Sequence, residues 1–306
     1  MTLPQLKALI ADASGADAVG VAAARPVDDD ADALFRRWIA DGCHGEMSYL
    51  ERYGDVRRDP RLLLDGAKTL IMTAFSYANP EAVDTMRRNK APRIAEYALA
   101  DDYHTVLRRR LGMAAEALTR AAGGTTRVCV DTAPLRERYW AWQAGIGFLG
   151  TNNYLIIPGL GAHFYLGTIL WTGRPDGEYD APCSLSCGNC NACVAACPGK
   201  AINADGRLDA RRCLSYLTIE SRQPVPDDIH LGGRLFGCDT CRKVCPHQPY
   251  TTQPTHIPEF VARPLVVALT RNDWQNMTPE RFNNLFRNSA LRRTKLSRLQ
   301  EILLKN

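Results

Sequence analysis

Eight of the eleven cysteines in this 306-residue chain lie in one stretch. The stretch opens with Cys187-Gly-Asn-Cys190-Asn-Ala-Cys193-Val-Ala-Ala-Cys197-Pro198, a C-x2-C-x2-C-x3-C-P run. It closes with Cys238-Asp-Thr-Cys241-Arg-Lys-Val-Cys245-Pro246, and Cys213 stands alone between the runs. In bacterial proteins with two 4Fe–4S clusters, the fourth cysteine of such a run ligates the other cluster. The spacing therefore predicts two 4Fe–4S clusters.

The same rule assigns four thiolates to each cluster. One cluster takes Cys187, Cys190, Cys193 and, from the far run, Cys245. The other takes Cys238, Cys241, Cys197 and Cys213. Leu235 occupies the first position of the second run. Cys213 fills that place because it is the only spare cysteine between the runs.

Two other uses of these cysteines compete with this prediction. Paired C-x2-C motifs can hold structural zinc, but zinc has no use for a third cysteine or for the x3-Pro spacing. Cys183, Cys187 and Cys190 also read C-x3-C-x2-C, the triad of radical S-adenosylmethionine enzymes. Those enzymes place the triad early, whereas only 116 residues follow Cys190 here. We therefore interpret Cys183 as a spare thiol.

The composition predicts a soluble cytoplasmic protein without a membrane span. Apolar residues make up 45% and charged residues 23% of the chain, and no run of eighteen apolar residues or signal-peptide pattern occurs. Abundant thiols indicate a reducing compartment. The formal charge is +5, and two oxidised clusters would contribute about −4. A nucleic-acid site must then be a local basic patch.

The elements that must position this chemistry indicate an α+β fold. The patterns predict helices over 4–13, 33–40, 103–121 and 136–144, and strands over 68–77, 126–131, 154–157 and 163–171, the last two joined by a turn at 158–161. Polar linkers at 178–182 and 251–258 suggest domains at 1–177 and 178–250, followed by a helical basic tail at 251–306. From Arg281 onward the tail holds seven Lys or Arg against one Glu. It is either a solvated face or a nucleic-acid contact.

Asp131 is the first candidate for acid chemistry, because it ends an apolar strand. A carboxyl at the edge of an apolar pocket has its pKa raised and can donate a proton. Alternatively, Asp131 caps a helix or pairs with Arg136 or Arg138. Asp102-Tyr103-His104 nearly forms D-x-H-x-x-G, the pattern that ligates cobalamin through His, but Leu107 replaces the glycine. Neither a G-x-G-x-x-G nucleotide motif nor a Walker loop occurs.

Several strings, in order and across most of the chain, resemble the epoxyqueuosine reductase family. They are His44-Gly-Glu-Met-Ser-Tyr-Leu50, Asp102-Tyr-His104, Val130-Asp-Thr-Ala-Pro-Leu-Arg-Glu-Arg138, Gly145-Ile-Gly-Phe-Leu-Gly150, Phe164-Tyr-Leu-Gly167, the two cysteine runs, Arg212-Cys-Leu-Ser-Tyr-Leu-Thr-Ile-Glu220 and Asn288-Ser-Ala-Leu-Arg-Arg-Thr-Lys295. The cluster runs are shared by many ferredoxin-like modules. The combination with the Asp131 motif is far more specific.

The resemblance implies a nitroreductase-like cobalamin-binding domain at 1–177, a ferredoxin-like domain and a short helical tail. It implies base-off cobalamin near one cluster, with Asp131 as proton donor and cofactor contact. Further cobalamin contacts are carried over to Arg57, Ala98, Leu155, Leu166 and Ser215. The implied reaction removes the epoxide oxygen of epoxyqueuosine in tRNA as water, with electrons from an unidentified low-potential donor to a monomeric enzyme. Arg108–Arg110, residues 87–93 and the tail are candidates for gripping the tRNA.

Two rival functions remain, and the chain departs from the family pattern at four places. A reductive dehalogenase would also use a corrinoid, and a two-cluster electron carrier would use none. Thr151 stands where many members have Lys, and Ala98 stands where some have Cys. Pro246-His-Gln replaces Pro-Trp-Asn. The sequence has no counterpart of the C-terminal helical-repeat extension of longer members, so we expect a differently built tRNA grip.

Overall fold

A computed structural model describes residues 1–249 and 252–306 of the chain. The strands are β1 (Ala18–Ala23), β2 (Thr69–Ser76), β3 (Arg93–Ile94), β4 (Thr126–Cys129), β5 (Phe148–Leu149), β6 (Leu155–Ile156), β7 (Phe164–Trp171) and β8 (Arg234–Phe236). The helices are α1 (Leu3–Ser14), α2 (Asp29–Ala40), α3 (Gly54–Arg58), α4 (Pro80–Arg88), α5 (Tyr103–Ala122), α6 (Glu137–Gln143), α7 (Ala192–Ala196), α8 (Leu214–Ile219), α9 (Thr240–Lys243), α10 (Pro264–Val267), α11 (Arg271–Gln275), α12 (Pro279–Leu285) and α13 (Leu296–Leu304).

A four-stranded antiparallel sheet of order β1-β2-β7-β4 organises the N-terminal half. β2 is central, and its side chains alternate between the two faces as the pleat requires. Ile71 and Phe75 pack into the core beneath α1 and α5. Leu70 and Met72 pack into the opposite core, beneath α6. The sheet is therefore covered by helices on both faces, and the predicted α+β class is confirmed.

Helices α5 and α6 lie on opposite faces of the sheet. The buried stripe of α5, including Val106, Leu107 and Leu111, seals one face. On the other face, Trp140 of α6 is fully buried. Their N-terminal ends carry His104 and Glu137, which brings these polar side chains to the end of β4.

The cysteine-rich part and the C-terminal helices share one core with a segment of the N-terminal half. Ile94 and Leu99 contact the same cluster as Phe236 of β8 and Trp274 of α11. Strand β3 also pairs in parallel with β8. The divisions at 177/178 and 250/251 stay predictions. Residues 250 and 251, where the second falls, lie outside the described residues.

Most predicted elements are present, with shifted ends. Helix α2 begins at Asp29, so the run of carboxylates lies inside its first turn, and Gly42 adopts the left-handed conformation just past its end, with a φ of 65°. The expectation that strand 126–131 includes Asp131 is wrong, because β4 ends at Cys129. β6 pairs with β5 rather than with β7, which pairs with β2 and β4. Among the described residues, no helix has the length and apolar character needed to cross a membrane.

Candidate active site and cysteine clusters

Asp131 follows β4 in a backbone conformation that few side chains adopt. Its φ is 49°, in the left-handed region that Asp and Asn tolerate best among residues with a Cβ. Its backbone N–H donates to Oε1 of Glu137 at 2.9 Å. Because Glu137 is the first residue of α6, this bond ties the loop after β4 to the adjacent helix.

His104 connects Asp131 to a second carboxylate. Its Nε2 lies 3.0 Å from Oδ2 of Asp131, and its Nδ1 lies 2.7 Å from Oδ1 of Asp102. Asp102 is the N-cap of α5, and it also accepts the backbone N–H of His104 at 2.9 Å. The imidazole stacks on the ring of Tyr103 with centroids 4.1 Å apart. Hydrogen bonds and stacking therefore fix the orientation of the imidazole.

The pKa of Asp131 is lowered, which corrects the expectation that burial would raise it. Burial does act in that direction, but the hydrogen bond and positive charge of His104 outweigh it, with smaller contributions from Tyr103 and Arg293. Burial would likewise lower the pKa of His104, yet Asp102 and Asp131 raise it to about 9. At neutral pH the resting site is therefore an ion pair with its proton on His104.

Glu137 is a third titratable group in contact with this site. Burial, and then the negative charge of Asp131, raise the pKa of Glu137 to about 8. Glu137 belongs to the string that carries the resemblance, but the sequence indicated no role for it. Its interaction with the backbone of Asp131 depends on how α6 packs and leaves no separate signal in the sequence.

We interpret the surroundings of Asp131 as an open concavity, because its side chain is 54% exposed although the surrounding protein desolvates it strongly. We assign Tyr49 and Arg293 to its wall, because both lie within range of the charge of Asp131. The guanidinium of Arg293 lies 5.6 Å from the ring centre of Tyr49 and pairs with Glu220 at 2.8 Å. The sequence did not single out these wall residues for a role at the site, because they come from distant elements.

The alternative partners proposed for Asp131 are engaged elsewhere. Arg136 pairs with Asp32, and Arg138 donates to the carbonyl of Asn153. Helix α6 begins at Glu137, with Arg136 rather than Asp131 in the cap position. Neither alternative reading of Asp131 is therefore supported, which leaves its carboxylate available to a ligand in the concavity.

The cysteines fall into two groups, and within each group the thiols are close enough for the charge of one to affect the pKa of another. Both Cys193 and Cys245 lie within range of the charges of Cys187 and Cys190. The peptide N–H of Thr151 donates to Sγ of Cys187 at 3.4 Å. This group holds the four ligands predicted for one cluster.

The second group surrounds Cys241. Burial raises the pKa of Cys241 to about 12, with further contributions from the charges of Cys213, Cys238 and Cys197. The N–H of Ala201 donates to Sγ of Cys197 at 3.2 Å. Four converging thiols with an amide on sulfur suit a 4Fe–4S cube. The grouping supports the crossed assignment, which stays a prediction.

In residues 1–249 and 252–306, no group of three or more His, Cys, Asp or Glu side chains is arranged to hold a metal ion. Cys183 contacts the hydrophobic cluster that contains Cys245, and it remains a spare thiol by prediction.

Tyr97 lies near both the second cysteine group and the residues around Asp131. It packs against the same hydrophobic cluster as Cys213 and Cys238, and its ring centre is 6.3 Å from that of Tyr103. Burial raises the pKa of its hydroxyl, and the charges of Asp239 and Asp131 raise it further. These contacts indicate that the second cysteine group is near Asp131.

The predicted cobalamin contacts lie on several elements. Arg57, on α3, donates to the carbonyl of Tyr49 at 3.1 Å and so adjoins the wall of the concavity. Leu155 and Leu166 share one hydrophobic cluster, on β6 and β7. Ala98 is buried in another cluster, together with the two neighbours of Ser215. These contacts stay predictions.

His104 is not free to ligate cobalt, because both its nitrogens face carboxylates. This arrangement fits a corrinoid held without a histidine from this motif. It also agrees with the missing glycine of the D-x-H-x-x-G pattern.

Comparisons with known proteins agree with this geometry. A family model described as epoxyqueuosine reductase QueG matches residues 57–132, and a 4Fe-4S double cluster binding domain matches 186–248. An epoxyqueuosine reductase of Cyclobacterium marinum is 36% identical over 290 residues, covering 92% of this chain and 89% of that protein. One from Leadbetterella byssophila is 35% identical, covering 94% and 92%.

Solved structures show the same relationship. A crystal structure of an epoxyqueuosine reductase with a tRNA-Tyr epoxyqueuosine-modified stem loop has a TM-score of 0.79 and 28% identity, covering 97% of this chain and 79% of that one. A Bacillus subtilis epoxyqueuosine reductase, solved with its catalytic aspartate loop swung out of the active site, has a TM-score of 0.81, 28% identity and the same coverage. With the identity and coverage of the relatives from Cyclobacterium and Leadbetterella, this shows that the chain belongs to the epoxyqueuosine reductase family.

Proposed function

We propose that this protein reduces epoxyqueuosine to queuosine in tRNA, using two 4Fe–4S clusters and cobalamin, with Asp131 delivering a proton to the departing oxygen. One observation carries the proposal. The accessible carboxylate of Asp131 lies 3.0 Å from Nε2 of His104 and near the second cysteine group. Proton delivery and electron delivery therefore meet at one place.

The chain's own residues supply position and protons. Bound cobalamin supplies the reduction at the epoxide carbon, because such chemistry lies beyond amino-acid side chains. Arg57, Ala98, Leu155, Leu166 and Ser215 are the residues we expect to hold it, in its base-off form. An epoxide oxygen leaves poorly unless it is protonated as it departs, so a positioned acid is required. The hydrogen bonds that Asp131 makes with Glu137 and His104 support this role for it.

The tRNA must present its modified base in this concavity. The relative solved with a modified stem loop binds such a substrate. In this chain, Arg108 is exposed and donates to Oγ1 of Thr132, next to Asp131, at 3.0 Å. Arg109 and Arg110 pair instead with Glu259. We therefore favour Arg108, among these three arginines, as a contact to tRNA phosphate near the active site.

The test is Asp131→Asn in protein carrying both clusters and cobalamin. Asn tolerates the left-handed backbone and keeps the shape of the side chain, so the loop should persist. We expect turnover to fall about 100- to 10,000-fold, the usual contribution of a general acid. Queuosine formation is followed by mass spectrometry of the digested tRNA. Normal turnover by this variant would contradict the acid role, while a wild-type protein that forms no queuosine would contradict the function.

Three finer points remain part of the proposal. A low-potential single-electron donor must feed the clusters, since each cluster carries one electron at a time. Its identity is open. We expect a monomeric enzyme, and we expect it to act in the cytoplasm because its tRNA substrate is found there.

A further inference from the structure

We propose that His104, held by Asp102, is the proton reserve of Asp131: it stores a proton in the resting enzyme and passes it through Asp131 to the substrate oxygen. This inference rests on the proposed function and adds a positioning residue and a proton source to it. Asp131 is a carboxylate in the resting enzyme, so the proton that it delivers must come from a neighbouring group, and His104 is hydrogen-bonded to it. Removing an epoxide oxygen as water takes two protons, so His104 must also be reloaded from solvent.

Two hydrogen bonds at His104 require one extra proton in the chain formed by Asp102, His104 and Asp131. An ionised carboxylate can only accept hydrogen bonds, and each nitrogen of His104 faces one. Both nitrogens can donate only when the ring is an imidazolium. With neutral His104, either Asp102 or Asp131 would have to carry the proton. The three residues therefore hold one extra proton whenever both hydrogen bonds are made.

Asp102 and His104 are held more firmly than Asp131. Asp102 caps α5, and its own N–H donates to the carbonyl of Asn288 at 2.9 Å. The ring of Tyr103, which stacks on His104, also stacks on Tyr165 with centroids 4.6 Å apart and an interplanar angle of 9°. Asp131, by contrast, lies on a loop and is the most exposed of the three. This arrangement places a fixed proton store beside a delivering group that can move.

The charged and titratable groups around the pair come from five elements. They are Asp102 and Tyr103 at the start of α5, Arg108 further along it, Glu137 on α6, Arg293 in the turn Ala290–Arg293, Tyr49 in the turn Ser48–Leu50, and Tyr97 in the turn Glu96–Ala98. The carboxylates of Asp102 and Asp131 hold the pKa of His104 near 9 against the effect of burial. Apart from His104, Glu137 is the group around the pair whose pKa, about 8, lies close to neutral pH.

The proton steps balance with the two electrons that the clusters and the bound cofactor would deliver. Covering the concavity removes water, and a neutral acid–imidazole pair is then favoured over an ion pair. The proton moves from Nε2 of His104 to the carboxylate of Asp131, leaving a neutral imidazole and a carboxylic acid. The acid gives this proton to the epoxide oxygen as the first C–O bond breaks, which forms a hydroxyl on the neighbouring carbon and regenerates the carboxylate. A second proton, taken up from solvent by His104, reaches that hydroxyl by the same route as the second C–O bond breaks. Water leaves, the two ring carbons become joined by a double bond, and the two electrons and two protons are accounted for.

The decisive experiment compares pH profiles of wild type and Asp102→Asn. The reserve is loaded below the pKa of His104 and empties as pH rises through it, so single-turnover rates should fall on the alkaline side near pH 9. Asn preserves the helix cap but removes one of the two negative charges that raise the pKa. We expect the pH at which the rate falls to move down by about 1–3 pH units relative to wild type. The proposal would be overturned if the rate of Asp102→Asn fell at the same alkaline pH as that of wild type.

Glu137→Gln is the matched control, because Gln keeps the acceptor for the N–H of Asp131 and removes the titration. We expect the single-turnover rate of Glu137→Gln to fall at the same alkaline pH as that of wild type, because His104 still sets that pH. A fall that moves in Glu137→Gln but not in Asp102→Asn would assign the reserve to Glu137 and overturn the role of His104.

Two further measurements separate proton transfer from a structural role. Imidazole added to His104→Gly should restore turnover, and more basic substituted imidazoles should restore it at higher pH. Nuclear magnetic resonance of ring-labelled histidine in the holoenzyme should show a signal that titrates near pH 9 and is absent from His104→Gln. A His104 signal that titrates near its ordinary value would overturn the proposal without any activity assay. Wild-type protein that forms no queuosine would instead count against the proposed function.

Discussion

Asp131 shows what a motif predicts about a residue and what it leaves open. The string Val130–Arg138 singles it out, just as the cysteine spacing singles out eight cluster ligands. The direction of its pKa shift could not be obtained in this way. That direction depends on His104, which lies 27 positions earlier and is brought to Asp131 by the packing of α5 on the sheet. Local patterns identify a reactive group, whereas its protonation depends on tertiary neighbours.

Arg242 gives a prediction at the same scale. It is fully buried beside Cys241, and its Nη2 lies 3.0 Å from carboxylate oxygens of Glu96 and Asp239. Arg242→Met would leave two buried carboxylates without their cation. We expect a loss of about 3–5 kcal/mol in the free energy of unfolding, measured by denaturant titration of cluster-loaded protein. Arg61→Met, which breaks the more exposed pair with Asp59, should cost under about 1 kcal/mol. Equal losses would contradict the role assigned to burial.

At the scale of elements, the sequence predicted what is locally encoded and missed what is not. The long amphipathic helix α5 and the apolar strand β2 appear within one residue of their predicted ends. β1, with its alanines and glycine, carries little strand signal and was not predicted. The turn at 158–161 predicts where β6 ends and β7 begins, but it does not predict their partners, which are β5 for β6 and β2 for β7. Two-residue strands such as β3 are likewise too short to carry a sequence pattern, and they are defined by their pairing with another strand.

A pair of glycine substitutions tests how closely α6 approaches the sheet. A Cβ on Gly20 of β1 would overlap the carbonyl oxygen of Ala144, just past the end of α6. We expect Gly20→Ala to destabilise the protein by about 1–3 kcal/mol through overpacking. Gly112→Ala, within α5, meets nothing within 4 Å and should stabilise it by up to about 1 kcal/mol. Thermal unfolding checks both changes. A Gly20→Ala protein as stable as wild type would mean that α6 is not held against β1.

At the scale of the whole molecule, the C-terminal helices are part of the enzyme's frame rather than an appendage. Trp274, Phe286 and Leu299 share a core with Leu217 of the cysteine-rich part and Leu99 of the N-terminal half. Arg293, in the same tail, pairs with Glu220 and lies near Asp131. Composition alone showed a basic tail, but it could not distinguish cations that hold the fold together from cations that remain free.

That distinction leads to the last prediction, which concerns tRNA binding. Arg281 and Lys305 pair with Asp273 and Asp227, whereas Arg292 and Lys295 are exposed and make no ion pair within residues 1–249 and 252–306. The latter two also line a cavity of about 440 Å³.

Each lysine or arginine on a phosphate steepens the salt dependence of binding by about one unit in log Kd against log salt. We expect the double substitution of Arg292 and Lys295 by Glu to weaken binding of epoxyqueuosine tRNA and to reduce that slope by about two. Fluorescence titration at several salt concentrations measures both quantities. Replacing Arg281 and Lys305 by Glu changes the net charge equally but removes cations that are already paired, so it should weaken binding far less. Equal effects of the two double variants would mean that the tail attracts tRNA through its overall charge and that neither pair contacts phosphate.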